Sequence, residues 1–410
     1  MTINQKKTLK QDKAVELSKI HNSLCLEFST GVGKSLAAMR IAEEFFAENP
    51  NANGYLICKE NTHKKNWKDE FIKHGKLDVL SNLKTFLYAS AKNQKKVADI
   101  IIFDECHALT MARVIALKRI ITDDTVLLFL SATLNDEKKY LISLLRSNTK
   151  YYTISLEEAI EIGVLPVPEV EIHHIELDNN NKDVDFVMNK GKAKDRVKKT
   201  CLFRERWLYL QKYKAVELTI KCSDSEYYEL ICKQIEYWQE KSTDYNLETG
   251  RRVSYQNTAL KLSSVRKRFI AKAKTNYAKK LIQKFKANNK RFICFAGSIS
   301  QVEELSKNNC IHSKKSKEEN QNIIDCFNSK KCSELYTVKM LRESVNLTNI
   351  ELGLIIQLDS TMISFYQMLG RTLRHDYPKL IMIVLRNTQD EVWFKSSMKG
   401  FDRKYIKHIK

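Results

Sequence analysis

Three short segments contain residues whose types and spacing suit phosphate chemistry. A glycine-rich turn, Ser-Thr-Gly-Val-Gly-Lys-Ser, occupies residues 29–35 and can wrap backbone N–H groups around phosphates. Two adjacent carboxylates, Asp104 and Glu105, open the segment Asp-Glu-Cys-His. A third segment at 367–374, Gln-Met-Leu-Gly-Arg-Thr-Leu-Arg, puts a glutamine and two arginines on one helical face. Together these segments indicate a motor driven by a nucleoside triphosphate.

The glycine-rich turn lies between an apolar run and a helical pattern, which is the setting that phosphate binding needs. Residues 24–28 predict a strand, and residues 36–47 predict a helix whose N-terminus favours negative charge. Glycines let the turn's amides approach phosphate oxygens, Lys34 would reach the β- and γ-phosphates, and Ser35 would bind Mg²⁺. The residues predicted to bind ATP in this turn are Thr30, Gly31, Val32, Gly33, Lys34 and Ser35.

The acid pair follows four consecutive apolar residues, 100–103, at the end of a predicted strand. Parallel α/β sheets bind their ligands at this edge. An isolated acid pair at such a position is usually a helix cap, but the phosphate-binding turn upstream favours catalysis. We expect Asp104 to hold Mg²⁺ and Glu105 to orient and deprotonate the attacking water.

The charge of the chain is strongly basic and unevenly distributed. The formal net charge is +21, and residues 251–290 contain thirteen Lys and Arg but no Asp or Glu. Residues 190–214 contain ten basic residues against two acidic ones. Such a patch attracts a phosphate backbone by releasing counterions, so we expect a nucleic-acid partner, with Arg266 and Arg268 among its contacts. For either run alone, a solvated lysine-rich helix surface is the alternative interpretation.

The remaining composition excludes several classes of protein. The ten cysteines form no Cys-x-x-Cys pair and show no zinc-ligand spacing, which predicts reduced thiols in an intracellular, cytoplasmic protein (host cytoplasm if viral) and no structural metal. No uncharged apolar run is long enough to span a membrane, and residues 1–11 lack the apolar centre of a secretory signal.

Alternating apolar runs and helical patterns predict an α/β protein with two parallel-sheet domains. Residues 1–165 form the first domain, residues 166–285 a linker with a basic helical insertion, and residues 286–410 the second domain. The segment from about 175 to 285 has a helical, charged pattern. Its aromatic residues are more typical of a helical core than of a base-stacking surface.

The order of these segments resembles that of superfamily 2 helicases and translocases of the DEAD/DEAH-like group. The matching motifs are Gly-Val-Gly-Lys-Ser, Asp-Glu-Cys-His, Ser-Ala-Thr at 131–133 and the arginine segment at 367–374, and the resemblance extends over about residues 5–390. It implies two RecA-like domains. The form of the last motif is similar to that of phage recombination, DNA-repair and restriction-motor helicases, which act mostly on duplex or branched DNA. The chain departs from the family at Ser344 and Asn346, where Gly and Asp are more usual.

The resemblance also implies roles for individual residues. Gln11 would contact adenine, and His107, Ser131 and Thr133 would link the ATP state to domain movement. Family position suggests nucleic-acid contacts at Lys59, Ser90, Ser298 and Thr337. The catalytic set would be Asp104, Glu105, Gln367, Arg371 and Arg374, with the two arginines stabilising the charge of phosphoryl transfer.

The resemblance therefore implies an ATP- and Mg²⁺-dependent DNA helicase or translocase with little sequence preference. An RNA helicase is the first alternative. The second is an ATP-switched motor subunit that binds nucleic acid and acts with a partner. No nuclease-like arrangement of acids and lysine is evident in the sequence.

Overall fold

The computed structural model describes residues 2–409, except 189–196, 203–215, 245–247, 339–346, 348, 359–361 and 373–374. In this part of the chain the strands form a six-stranded, a three-stranded and a seven-stranded sheet. The two large sheets are parallel and carry helices, as the sequence predicts for an α/β protein with two parallel-sheet domains.

The first large sheet has the strand order β3-β2-β4-β5-β1-β6. Its four inner strands, β2, β4, β5 and β1, are buried along nearly their whole length, because helices cover both faces of a parallel sheet. The sequence predicted β1, β2, β4 and β5 and missed the two edge strands, β3 and β6. The elements of this half are α1 (Ile3–Ile20), β1 (Ser23–Phe28), α2 (Lys34–Glu48), β2 (Gly54–Cys58), α3 (Asn61–Lys73), α4 (Leu77–Ser81), β3 (Leu83–Leu87), β4 (Ile100–Phe103), α5 (Met111–Leu117), β5 (Val126–Ser131), α6 (Asp136–Leu145), β6 (Lys150–Ile154) and α7 (Leu156–Glu161).

The second large sheet has the strand order β12-β13-β11-β14-β15-β7-β16. β7 (Glu169–Ile175) joins this sheet because it pairs in parallel with β15 (Lys379–Leu385). The sequence placed these residues in the linker. The other elements of this half are β11 (Phe292–Phe295), α11 (Ile299–Leu305), β12 (Cys310–Ile311), α12 (Lys317–Asn328), β13 (Glu334–Thr337), β14 (Leu352–Ile355), α13 (Met362–Thr372), β15 (Lys379–Leu385), α14 (Gln389–Ser397) and β16 (Ile406–Ile409).

The middle of the chain is only partly helical, which corrects the prediction of helix from residue 175 onward. β8 (Lys182–Met188), β9 (Val197–Leu202) and β10 (Val216–Cys222) form the small sheet, with β10 antiparallel to β8 and parallel to β9. Polar and apolar residues alternate in β10, as in Glu-Leu-Thr-Ile-Lys, which is the period of two typical of a strand. The many lysines of this region obscured that alternation. The helices follow as α8 (Asp224–Ser242), α9 (Thr249–Ala273) and α10 (Thr275–Ala287).

Helices α8 and α9 pack side by side, and their aromatic side chains lie between them. The ring centroids of Tyr227 and Phe269 are 5.2 Å apart, as are those of Trp238 and Tyr255. This helical pair is joined to the second large sheet, because the Tyr228 hydroxyl accepts a 2.6 Å hydrogen bond from the backbone N–H of Gln389. These aromatics pack as a helical core, as the sequence favoured. No described helix has the length and apolar character needed to cross a membrane.

Candidate nucleotide site between the two large sheets

The glycine-rich turn connects β1 to α2 at the carboxyl edge of the first sheet. Gly31 and Gly33 have φ of +94° and +104°, a left-handed conformation that side chains other than glycine's rarely adopt. Val32 is buried, and its N–H donates to the Ser29 carbonyl oxygen over 3.3 Å. Lys34 and Ser35 begin α2, so both side chains start at the helix N-terminus, where anions bind.

Lys34 is held back onto the strand that precedes the turn. Its ammonium donates to the carbonyl oxygen of Phe28, the last residue of β1, over 2.8 Å. Among the described residues it forms no ion pair, and its side chain is only partly buried. A cation held by one carbonyl at a helix N-terminus can exchange that contact for a phosphate oxygen.

Gln11 on α1 packs against the same turn. Its side chain is buried, and a Cβ added at Gly33 would collide with its amide nitrogen. This close approach brings a residue from the start of the chain onto the glycine-rich turn. The position agrees with the adenine-contacting role that the resemblance implies, and only the contact with the turn is observed.

Asp104 follows β4, two strands away from β1 in the sheet, and three contacts hold it in place. Its N–H donates to the Ile57 carbonyl oxygen over 2.9 Å, and its own carbonyl oxygen accepts from the Tyr88 hydroxyl over 3.0 Å. One carboxylate oxygen, Oδ2, lies 3.1 Å from Nδ1 of His63. Burial lowers the pKa of His63, but the hydrogen bond and the charge of Asp104 outweigh it and raise that pKa above 6.5.

Glu105 adopts a left-handed backbone conformation, with φ of +49°. Non-glycine residues in this region store strain, and they concentrate at functional sites. Its Oε2 lies 3.1 Å from Nδ1 of His107. Burial alone would raise the pKa of Glu105, but the hydrogen bond from His107 and the nearby charges of Lys34, His107 and His63 hold it well below 4.5. The side chain is therefore a carboxylate at neutral pH.

A short chain of contacts connects the acid pair with the end of β5. The His107 Nδ1 atom lies 3.5 Å from the Ser131 hydroxyl, and that hydroxyl donates to the Thr133 carbonyl oxygen over 2.9 Å. All three residues predicted to couple ATP state to movement thus lie in one row beside Glu105. A change at Glu105 has a direct physical route to the loop that follows β5.

Helix α13, from the second half of the chain, lies directly on the glycine-rich turn. A Cβ added at Gly370 would lie 2.6 Å from Cβ of Thr30, so a glycine is required for this approach. The Tyr366 hydroxyl also donates to Oε1 of Glu157, on α7, over 3.0 Å. Two contacts therefore bring the arginine-containing helix against the first domain.

One of the two predicted arginines, Arg371, has a backbone position that agrees with this approach. Gln367 and Arg371 belong to α13, but their side chains lie outside the described part of the structure. Arg374 falls entirely outside the described residues. The contact of Gly370 with Thr30 shows that this helix reaches the site, while the roles of the three polar side chains stay predictions.

The four predicted nucleic-acid contacts on the sheets lie at or just beyond carboxyl strand ends. Lys59 follows β2, Ser90 follows β3, and Ser298 caps the N-terminus of α11, where its hydroxyl accepts from the Gln301 N–H. Thr337 ends β13 and is fully buried, and its hydroxyl has no hydrogen-bond partner among the described atoms. Its burial differs from the exposure expected of a surface contact.

The two basic candidates on α9 have different surroundings. Arg266 is partly buried and donates to Sγ of Cys232 on the neighbouring α8, so it packs between the two helices. Arg268 is exposed, as are Lys261 and Lys272 on the same helix. Arg268 therefore lies on the exposed face of α9, where a nucleic acid could reach it, whereas Arg266 contacts the neighbouring helix. The basic run at 190–214 lies mostly outside the described residues.

Comparisons with known proteins agree with this arrangement. Residues 273–376 match the helicase conserved C-terminal domain family. Among solved structures, the helicase domain of Hef from Pyrococcus furiosus is 13% identical with a TM-score of 0.52, and the match covers 97% of this chain and 98% of that one. These likenesses establish that the chain has the fold of a helicase domain, with two RecA-like domains.

A second similar structure is Dbp5 from S. cerevisiae, solved bound to RNA and ADP BeF3. It is 11% identical with a TM-score of 0.57, and the match covers 97% of this chain and 88% of Dbp5. No curated protein sequence matches the chain. At these identities the likeness establishes the fold of the chain alone.

Sequence reasoning missed His63, which the helicase fold brings against Asp104. The signal was present in the spacing, because His63, Trp67 and Phe71 recur every four residues and form the buried face of α3. A histidine in an otherwise aromatic, apolar face indicates a polar partner beneath the helix. That partner could not be named without knowing that α3 lies beside the end of β4.

Proposed function

We propose that this chain is a superfamily 2 helicase, an enzyme that hydrolyses ATP with Mg²⁺ to move along or remodel DNA. The observation that carries the proposal is the contact of Gly370 with Thr30, which brings the arginine-containing helix onto the phosphate-binding turn. A nucleotide bound there would touch both domains. Binding would then close the cleft between the domains, and hydrolysis would open it.

Residues of the first domain would bind the nucleotide. Backbone amides from Thr30 to Ser35 would surround the phosphates at the start of α2, and Lys34, which now donates to the Phe28 carbonyl oxygen, would pair with them. Gln11, which packs on Gly33, would contact the adenine. These contacts fix the nucleotide's position relative to the first sheet.

The residues present fit a magnesium ion. Ser35 and Asp104 offer a hydroxyl and a carboxylate, and Mg²⁺ prefers such oxygen ligands, completing its shell with water and phosphate. Among the described residues no cluster of three or more acidic, histidine or cysteine side chains could bind a metal alone, which suits an ion shared with the nucleotide. When bound, the ion neutralises phosphate charge.

Glu105 is the proposed base for the attacking water. Its lowered pKa keeps it ionised, and its strained backbone fixes the carboxylate at the edge of the sheet. Gln367 and Arg371 belong to α13, and Arg371 and Arg374 would stabilise the charge that develops on the transferred phosphoryl group. His107, Ser131 and Thr133 transmit the change at Glu105 to the loop after β5.

The nucleic acid is proposed to cross the carboxyl edges of both sheets. Lys59, Ser90, Ser298 and Thr337 are the candidate contacts there, and the basic face of α9, with Arg268, supplies attraction to the phosphate backbone. Arg266 supports α9 through its contact with α8. The form of the arginine motif supports DNA, and RNA is the alternative.

The test is steady-state ATP hydrolysis by the full chain and by Glu105→Gln. Each protein is assayed without nucleic acid and with single-stranded DNA, duplex DNA, forked DNA or RNA. We expect one DNA form to stimulate the wild type strongly. The Glu105→Gln variant should lose about 10²–10⁴-fold in kcat, because it lacks the base.

Glu318→Gln, at an exposed position on α12, is the matched control and should keep wild-type hydrolysis. Stimulation by RNA alone would replace DNA with RNA in the proposal. Hydrolysis that ignores every nucleic acid would overturn the translocase and leave an ATP-switched subunit that awaits a partner.

A further inference from the structure

His63 is the only histidine on the buried face of α3. It is the third residue of that helix, and its side chain is 4% exposed. Trp67 and Phe71 continue the same face and are buried in the core. An apolar side chain would fit this row, so the polar ring needs a separate explanation.

The hydrogen bonding of the ring gives that explanation. An ionised carboxylate can only accept, so Nδ1 of His63 is the donor to Oδ2 of Asp104, 3.1 Å away. Nε2 is buried and has no hydrogen-bond partner among the described atoms. An unpaired polar atom in the core costs free energy, which a residue selected only for packing would avoid.

Asp104 has three fixed groups and one that remains available. Its N–H is paired with Ile57, its carbonyl oxygen with Tyr88, and Oδ2 with His63. No described residue donates a hydrogen bond to its other carboxylate oxygen, Oδ1, and the side chain is 13% exposed. The histidine thus fixes the rotation of the carboxylate and leaves a single oxygen for a ligand.

We propose that His63 is a positioning residue that orients Asp104 toward the Mg²⁺ of bound ATP. This inference rests on the proposed function, because it needs Asp104 to be a magnesium ligand. Groups that hydrogen-bond to a ligating carboxylate orient it, and their loss commonly weakens metal binding about 10–100-fold. His63 would act only through its contact with Asp104, which makes it a positioning residue and not a catalytic one.

The first test measures binding of a fluorescent ATP analogue as the Mg²⁺ concentration is varied. All proteins carry Glu105→Gln, so that nucleotide is bound without hydrolysis. His63→Leu removes the donor, while His63→Asn keeps an N–H near the position of Nδ1. His74→Leu is the matched control, because His74 ends the same helix and pairs with Glu70 away from the site.

We expect His63→Leu to need about 10–100-fold more Mg²⁺ for half-maximal binding. His63→Asn should need a Mg²⁺ concentration close to that of the parent protein, and His74→Leu should need the same concentration as the parent. Binding of the analogue in the presence of a chelator should be equal in all four proteins. An unchanged Mg²⁺ requirement in His63→Leu, or an equal loss of chelator-insensitive binding in both His63 variants, would overturn the positioning role.

Asp104→Asn separates this inference from the proposed function. If Asp104→Asn raises the Mg²⁺ requirement and His63→Leu does not, only the role of His63 is wrong. If Asp104→Asn leaves the requirement unchanged, the magnesium site itself is wrong, and the role of His63 is overturned with it.

A second test needs neither metal nor nucleotide. Selective ¹⁵N labelling of the histidines, with His63→Asn to assign the signal, reports which ring nitrogen carries the proton. We expect a proton on Nδ1 of His63 in the metal-free protein. A neutral ring protonated only on Nε2 could not donate to Asp104, and that result would overturn the proposal.

Discussion

Two lysines at the beginnings of helices show how differently the two large sheets use their carboxyl edges. Lys34 begins α2 and donates to the carbonyl oxygen of Phe28, which ends β1. Lys274 precedes α10 and donates to the carbonyl oxygen of Ile356, just after β14, over 2.7 Å. Lys274 also forms an ion pair with Asp390 at 2.5 Å, and both side chains are 1% exposed.

The two lysines differ in whether their ammonium groups already have a charged partner within the protein. Lys274 is satisfied within the protein, although burial lowers its pKa against the opposing effect of Asp390. Lys34 is partly exposed and forms no ion pair in the part of the chain that the structure describes. At the edge of the first sheet, the charge of Lys34 thus stays available to a ligand. At the edge of the second sheet, the buried pair of Lys274 and Asp390 joins α10 to α14.

Among the variants that compare the two sheets, Lys34→Ala should have the largest effect on ATP hydrolysis. Removing the cation from the nucleotide site should lower kcat/KM for ATP about 10²–10³-fold, the usual cost of losing one donor to a developing charge. The melting temperature should change little, since a single carbonyl contact is lost. Steady-state hydrolysis and thermal melting check this, with Lys73→Ala, an exposed lysine on α3, as the control.

Lys274→Met should destabilise the second domain by about 3–5 kcal/mol, because it leaves the Asp390 carboxylate buried without its counter-ion. The double variant Lys274→Met/Asp390→Leu should recover much of that loss. Urea unfolding followed by the fluorescence of Trp393, on the same helix as Asp390, measures both. Equal stability of the single variant and the wild type would contradict a structural role for the pair.

Gly370→Ala tests whether the two sheets must approach closely for hydrolysis. The new methyl would lie 2.6 Å from Cβ of Thr30, so α13 has to withdraw. We expect kcat to fall about 10-fold, equivalent to roughly 1.4 kcal/mol in the barrier. Thr30→Gly in the same protein removes the clashing atoms, and partial recovery of kcat by the double variant would attribute the loss to this contact.

Glu171→Gln should have the smallest effect, and it should depend on pH. Burial would raise the pKa of Glu171, but hydrogen bonds and charges from Lys379 and His173 lower it below 4.5. Its ionised form therefore stabilises the fold above pH 4.5, by about 1–2 kcal/mol, and this contribution fades as the pH falls through the lowered pKa.

Urea unfolding of Glu171→Gln and wild type at pH 7 and below pH 4 measures that change. The difference should be present at pH 7 and shrink in acid. Glu169→Gln, an exposed neighbour that also contacts Lys379, should unfold like the wild type at both values. A difference that grows in acid would mean that the sign is wrong.

The sequence was sufficient where one local pattern decides the structure. The turn at Gly31 and Gly33 and the acid pair after β4 both follow an apolar run, so their places at strand ends could be predicted. Edge strands β3 and β6 were missed because their alternation is short and partly exposed. The strand at Glu169–Ile175 looked like linker because it follows two prolines and pairs with a strand more than 200 residues later.

By itself, the sequence determined which residues could do chemistry and which local conformations they would take. A glycine at φ near +100° and a carboxylate after four apolar residues are properties of a few neighbouring positions. Tertiary structure alone decided that Gln11 lies on Gly33, that His63 lies on Asp104, and that Gly370 lies on Thr30. These contacts join distant parts of the chain, so they depend on strand order and helix packing, which local patterns do not encode.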